Sequence, residues 1–179
     1  MTTTAVSDTA AFADALQAAR PHPELAARMR LYGQLVGRWD VEVVDYEDGG
    51  LVRRSRGEWI FSWVLEGRAI QDVFIVPARG SRGDPPGKGN RYGATLRVFD
   101  PRTDAWRITW TNAVTNVQTC LTGSRRGDEI FQEGSQEDGS LVRWIFSDLK
   151  PGSFCWTGLA STDGGATWRK QVEFFARRV

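Results

Sequence analysis

From Gly37 to the C-terminus apolar and polar residues alternate with a period of about two, and Gly, Pro, Asp or Asn bounds each run; before Gly37 the period is about 3.6. The pattern predicts a helical lead-in followed by strands alone. Phe12 and Leu16 stand at helical spacing within 8–20, with Ser7 or Asp8 placed to cap that helix and Pro21 to end it. Residues 24–35 repeat the spacing through Leu25, Met29, Leu31 and Leu35 and predict a second helix leading to Gly37.

Ten strand segments follow, at 39–46, 51–65 with a bend at Gly57, 68–77, 92–99, 106–112, 115–123, 129–134, 141–146, 154–160 and 167–176. The first two are joined by a turn at Glu47-Asp48-Gly49-Gly50. No long crossover separates any two, which excludes parallel pairing and leaves an up-and-down meander. Ten strands in an open sheet would expose two edges, and closure removes them. The expected fold is therefore mainly β: a closed antiparallel up-and-down barrel of about ten strands with a short N-terminal helical segment. It forms a single domain, with 1–36 packed on the barrel of 37–179. A barrel of this strand number has an interior of ligand size. The Gly/Pro-rich stretch 79–90 lacks an apolar anchor and reads as a mobile surface loop, a candidate lid.

Composition adds bounds. At 179 residues with 41% hydrophobic and 25% charged residues, the chain can bury a core without staples. Lys plus Arg total 23 against 22 Asp plus Glu, so no net field gathers phosphate backbones or anionic lipid, and neither nucleic acid nor membrane is an expected partner. The N-terminus has no basic region ahead of an apolar run, and no stretch is apolar for the roughly 18 residues a membrane span requires. A cytoplasmic address is the expectation. Cys120 and Cys155 read as two buried free thiols rather than a bridge. Homodimerisation is left open.

The run Leu35-Val36-Gly37-Arg38-Trp39 resembles the G-x-W signature that opens the first strand of lipocalins and related calycins. The resemblance implies a Trp closing one end of the barrel and an Arg from the last strand packed across it, a place that Arg177 or Arg178 fits. The chain is also similar to uncharacterised bacterial lipocalin-like proteins, in 57–73 and 92–110. Nitrobindin-type barrels hold haem through a His; the only His here is His22, between two prolines of the lead-in, which argues against haem.

One histidine also argues against Ser-His-Asp or Cys-His nucleophile systems and against His-rich metal sites, and the cysteines lack C-x-x-C spacing. No cofactor and no metal are expected, and no phosphate-cradling glycine motif is present. Residues 161–168 match the S-x-D-x-G-x-T-W Asp-box of sialidases, but a propeller would repeat it and only one copy exists, so it reads as a capped turn.

Chemistry is then left to the lumen. Alternation turns Trp106, Ile108, Trp110 and Asn112 inward, and likewise Val142, Trp144 and Phe146, and Phe154, Trp156 and Gly158. Segments 58–65, 68–76 and 116–121 do not declare a face. Arg68 and Asp72, four apart, read as a mutual or solvent-exposed ion pair, and Gln71, Asn112, Gln118 and Gln132 as surface or lumen polar groups. The leading expectation is a binder of a small, largely hydrophobic or aromatic molecule, with Trp63, Trp110, Trp144 and Trp156 as stacking area and Arg68, Gln71, Asn112 and Gln118 as polar fixings. A second is a cofactor-free isomerase or cyclase acting on a polyketide-like substrate, with Glu58, Asp72 or Tyr92 as acid or base and burial raising a carboxyl pKa. A third is an interaction scaffold without a ligand.

Overall fold

The computed structural model describes residues 4–47, 50, 52–82 and 90–179. After α1 (Thr4–Leu16), a two-residue strand β1 (Gln17–Ala18), a short 3-10 turn (Pro23–Leu25) and α2 (Ala26–Gly33), ten strands follow in order. They are β2 (Gly37–Tyr46), β3 (Val52–Val64), β4 (Ala69–Val76), β5 (Arg91–Asp100), β6 (Ala105–Asn112), β7 (Val117–Arg126), β8 (Glu129–Ser135), β9 (Leu141–Lys150), β10 (Ser153–Ser161) and β11 (Arg169–Arg178). Each pairs antiparallel with the next, and β11 returns to β2, so the sheet closes into a ten-stranded barrel. Closure leaves the strands no free edge along their shared length.

The antiparallel order fixes two ends. Hairpins β3–β4, β5–β6, β7–β8 and β9–β10 turn at one end, where β2 begins and β11 finishes; the other five connections lie at the opposite end. The first is closed by α2. Pro23 starts that segment and alanines and arginines carry it, while Met29 and Tyr32, three apart on one face, are fully buried. Tyr32 meets Trp106 edge-on at 4.8 Å and donates to Gln132 Oε1 at 3.2 Å.

Beside it lies the latch expected from the G-x-W run, and Arg178 rather than Arg177 makes it. Its guanidinium sits 4.1 Å over the Trp39 ring and donates to the carbonyls of Val36, Gln34 and Pro151. Trp39 itself donates to Leu35 O at 2.7 Å. Gly37 has φ +133, and a Cβ there would collide with Arg178 Nη1, so both the backbone and the arginine require glycine.

The first helix ends earlier than the sequence pattern suggests, at Leu16, and Gln17 and Ala18 pair with Val64 and Trp63. The reason is an unfilled edge: β2 starts opposite Phe61, so on that side β3 runs on beyond its partner, and β1 supplies the missing one. Gly57, the expected bend, lies inside an unbroken β3 where a Cβ would strike Ile75 O.

Of the expected loop 79–90, Arg79–Ser81 forms a 3-10 turn tied to β3 by Arg79 on Glu58, and Arg82 donates to the carbonyls of Val76 and Arg91. Residues 83–89, and with them the rest of the candidate lid, lie outside the described residues, as do Asp48 and Gly49 of the β2–β3 turn. Both cysteines are free, but Cys120 is exposed and Cys155 half-buried, because each points off the outer face of its strand. No described helix is long and apolar enough to cross a membrane.

Candidate functional site

Inside the barrel the inward face of β3 carries Trp59 and Phe61, β4 carries Ile70, Asp72 and Phe74, and β5 carries Gly93, Thr95, Arg97 and Phe99. Trp59 is the hub, with its ring 4.9–5.7 Å from those of Phe61, Phe74, Phe146, Phe154 and Phe174. Its indole donates to Asp72 Oδ1 at 2.7 Å. Asp72 also accepts from Thr95 Oγ1 and pairs with Arg97, whose guanidinium lies 5.2 Å over Tyr32 and 5.5 Å over Phe61. The attraction within a buried ion pair offsets its desolvation only where further hydrogen bonds are made, as Trp59 and Thr95 make to Asp72. Burial drives the Tyr32 phenol far above its ordinary pKa, with the Arg97 charge pulling the other way.

Toward the open end the packing gives way to a half-open cavity of about 140 Å³. Trp156 stacks on Phe174 with centroids 4.3 Å apart and planes at 8°, and Trp144 leans on Trp156 at 5.6 Å. Trp110 stands 6.3 Å from Phe74. These rings, with Trp59 and Val172, make the apolar wall; Arg91, Thr95 and Arg97 make the polar part. The wall follows from alternation on β6, β9, β10 and β11, each placing an aromatic or aliphatic residue inward near the mouth. At the mouth Arg91 reaches across to Asp45, which also accepts from Arg53 Nη2 at 3.1 Å.

No family model matches the chain, and no curated protein matches its sequence. Solved structures do resemble it. The S-type phycobiliprotein lyase CPES from Guillardia theta aligns over 84% of this chain and 91% of its own, at 9% identity and TM-score 0.55. Rv2717c from M. tuberculosis aligns over 89% and 99%, at 11% identity and TM-score 0.58. These neighbours are lipocalin-like ten-stranded barrels, and the likeness shows that fold alone.

Within the barrel, Trp110, Trp144 and Trp156 come together on the cavity wall. Trp63 does not join them: it packs against α2, where a Cβ on Gly33 would overlap its ring. Arg68 belongs to the β3–β4 turn and pairs with Glu24 and Glu66, with His22 at 2.9 Å, so the expected ion pair with Asp72 is replaced by Asp72–Arg97. Gln71 lies on the outer face of β4, opposite Ser62 and Leu96, and Gln118 is exposed. Asn112 is buried, and its Oδ1 accepts from the backbone of Tyr92 and Val114, closing the β6–β7 turn. Gln132 is fully buried under Tyr32.

The acid–base candidates part company as well. Asp72 lies behind the cavity wall with three donors on its carboxylate. Glu58 faces outward and pairs with Arg79, whose hydrogen bonds lower its pKa, the reverse of a burial-raised carboxyl. Tyr92 is exposed beneath the Arg82 guanidinium. Sequence reasoning passed over Trp59, Phe74, Phe174, Arg91, Thr95 and Arg97. The available signal was the 91-93-95-97-99 alternation, which sets Arg91, Thr95 and Arg97 on the face of buried Phe99.

Proposed function

We propose that this barrel binds a small, largely hydrophobic or aromatic molecule in the cavity at its open end. The observation that carries the reading is the half-open space of about 140 Å³ walled by Trp59, Trp110, Trp144 and Trp156. An engineered cavity of roughly 150 Å³ holds one benzene, so this space seats about one ring while the remainder of a larger ligand passes out through the mouth. Indole walls offer rigid stacking area at small entropic cost. The phycobiliprotein lyase shares the fold at 9% identity, and the likeness lends the fold only; the support for a ligand comes from the cavity.

Binding is favoured over turnover because, of the three acid–base candidates, only Asp72 approaches the cavity, and its carboxylate is occupied by Trp59, Thr95 and Arg97. It is favoured over a ligand-free scaffold because a filled lumen would leave no such space. Titration of the intrinsic tryptophan fluorescence with a panel of aromatic and polycyclic compounds tests the reading. A saturable change is expected for some members, weakened about tenfold in Trp144→Ala, the loss of one stacked ring. If the whole panel leaves the spectrum unmoved, the cavity is not a ligand site.

A further inference from the structure

The cavity's polar wall has a feature that hydrophobic lining does not explain: it offers cationic donors and no side-chain acceptor beyond the Thr95 hydroxyl, which is already directed at Asp72. Among the described residues, four buried side-chain nitrogens lack a hydrogen-bond partner, and two of them, Arg91 Nη1 and Arg97 Nε, belong to this wall. The Arg97 side chain is only 2% exposed, so its unmet donor is sheltered from bulk water. Leaving a buried charged donor unpaired is costly, and an acceptor bound beside Arg91 is what would relieve its unmet Nη1.

Building on the binding role proposed above, we infer that the natural ligand is an anion: an aromatic or conjugated ring bearing a carboxylate or similar acidic group. The ring lies among Trp110, Trp144 and Trp156, and the acid group meets Arg91 at the mouth. Arg91 is favoured over Arg97 for the acid because its side chain is 22% exposed, which lets the second oxygen of the ligand keep its water. Arg97, at the inner end of the same face of β5, is already matched to Asp72 and to the rings of Tyr32 and Phe61. Asp45 holds Arg91 in position, and Arg53 on the other oxygen of Asp45 offsets the repulsion that carboxylate would exert on an incoming anion. With Nη2 given to Asp45, Nη1 is the Arg91 donor left for one oxygen of the acid group, a charge-assisted hydrogen bond.

Calorimetric titration with 2-naphthoate and with its neutral methyl ester tests the inference. The acid is expected to bind at least about tenfold more tightly than the ester, about 1.4 kcal/mol. The preference should shrink as salt is raised, and should fall to within about twofold in Arg91→Gln while affinity for the ester is unchanged. Arg91→Lys should restore part of it. Equal binding of acid and ester by the wild type overturns the anion assignment and leaves the cavity reading standing; a preference that persists in Arg91→Gln overturns Arg91 as the partner of the acid group. Failure of both compounds to bind overturns both. Should Arg91→Gln not fold, the wild-type preference and its salt dependence decide the matter.

Discussion

The two ends of this barrel are built from the same alternation and come out differently. At the closed end the inward residues Trp39, Trp106, Ile108 and Phe146 are almost wholly buried because α2 lowers Met29 and Tyr32 among them and Arg178 seals the rim. At the open end Trp110 and Trp144 occupy equivalent inward positions on β6 and β9, yet remain partly exposed, because no described element covers them. A ring of inward aromatics therefore becomes core where a helix supplies the missing volume, and a cavity wall where none does. Between the ends lies the Asp72–Arg97 pair, the most buried charged contact in the described chain.

That boundary is where the comparison breaks most easily. Asp72→Ala leaves Arg97 buried without its carboxylate and removes the acceptor of Trp59 and Thr95, so a loss of about 3–5 kcal/mol is expected in denaturant unfolding. A variant as stable as the wild type would mean that Arg97 finds water or another acceptor. Trp39→Ala comes next. It empties the space under Arg178 and against Phe154 and should cost about 3–4 kcal/mol, in the range for buried aromatic truncations, while leaving ring binding at the far end nearly intact.

Trp144→Ala probes the opposite end and should reverse the balance. Its ring is half-exposed and leans on Trp156 alone among the aromatics, so about 1–2 kcal/mol of stability is expected to go, the ordinary range for a substitution. Affinity for an aromatic probe should fall about tenfold, since one stacking face is lost. A large loss of stability without loss of binding would show that Trp144 is core rather than wall.

Much of the closed end could be read from the chain before any coordinates. Gly37 and Trp39, with an arginine near the C-terminus, mark the latch because each residue there has a steric or cation–π reason that no other type meets. The inward faces of β6, β9 and β10 were legible because arginine, threonine or cysteine stands opposite the apolar row. On β4 the rule fails: Ala69 and Ile75 are buried on the outer face while Asp72 is buried inside, so hydrophobicity does not mark the face. Arg91 and Arg97 were passed over for the same reason. A polar residue is expected outward unless its partner is known, and the partners, Asp45 and Asp72, lie 46 and 25 positions away. Only the closed topology brings them together, so the chemistry of the cavity was less legible than its aromatic wall.

The smallest expected effect concerns acid, and it separates a carboxylate held by exposed arginines at the closed end from the buried pair at the boundary. Hydrogen bonds from Arg102, reinforced by Arg107, hold Asp100 at the β5–β6 hairpin well below the ordinary aspartate value of 3.8, at about 2. A carboxylate whose folded pKa is depressed adds stability above its unfolded pKa and loses it as pH falls through the folded one. The contribution of Asp100 is thus complete above pH 3.8 and is withdrawn between there and about 2. Both arginines are largely exposed, so solvent screens the pair, and added salt should reduce the effect further. Asp100→Asn should be slightly less stable than wild type at neutral pH, with the gap narrowing as the pH is lowered across that window. Unfolding midpoints of the two proteins at several pH values check this; a gap that stays constant down to pH 2 would mean that the charge of Asp100 does not carry the effect, since the asparagine oxygen can still accept from Arg102 N.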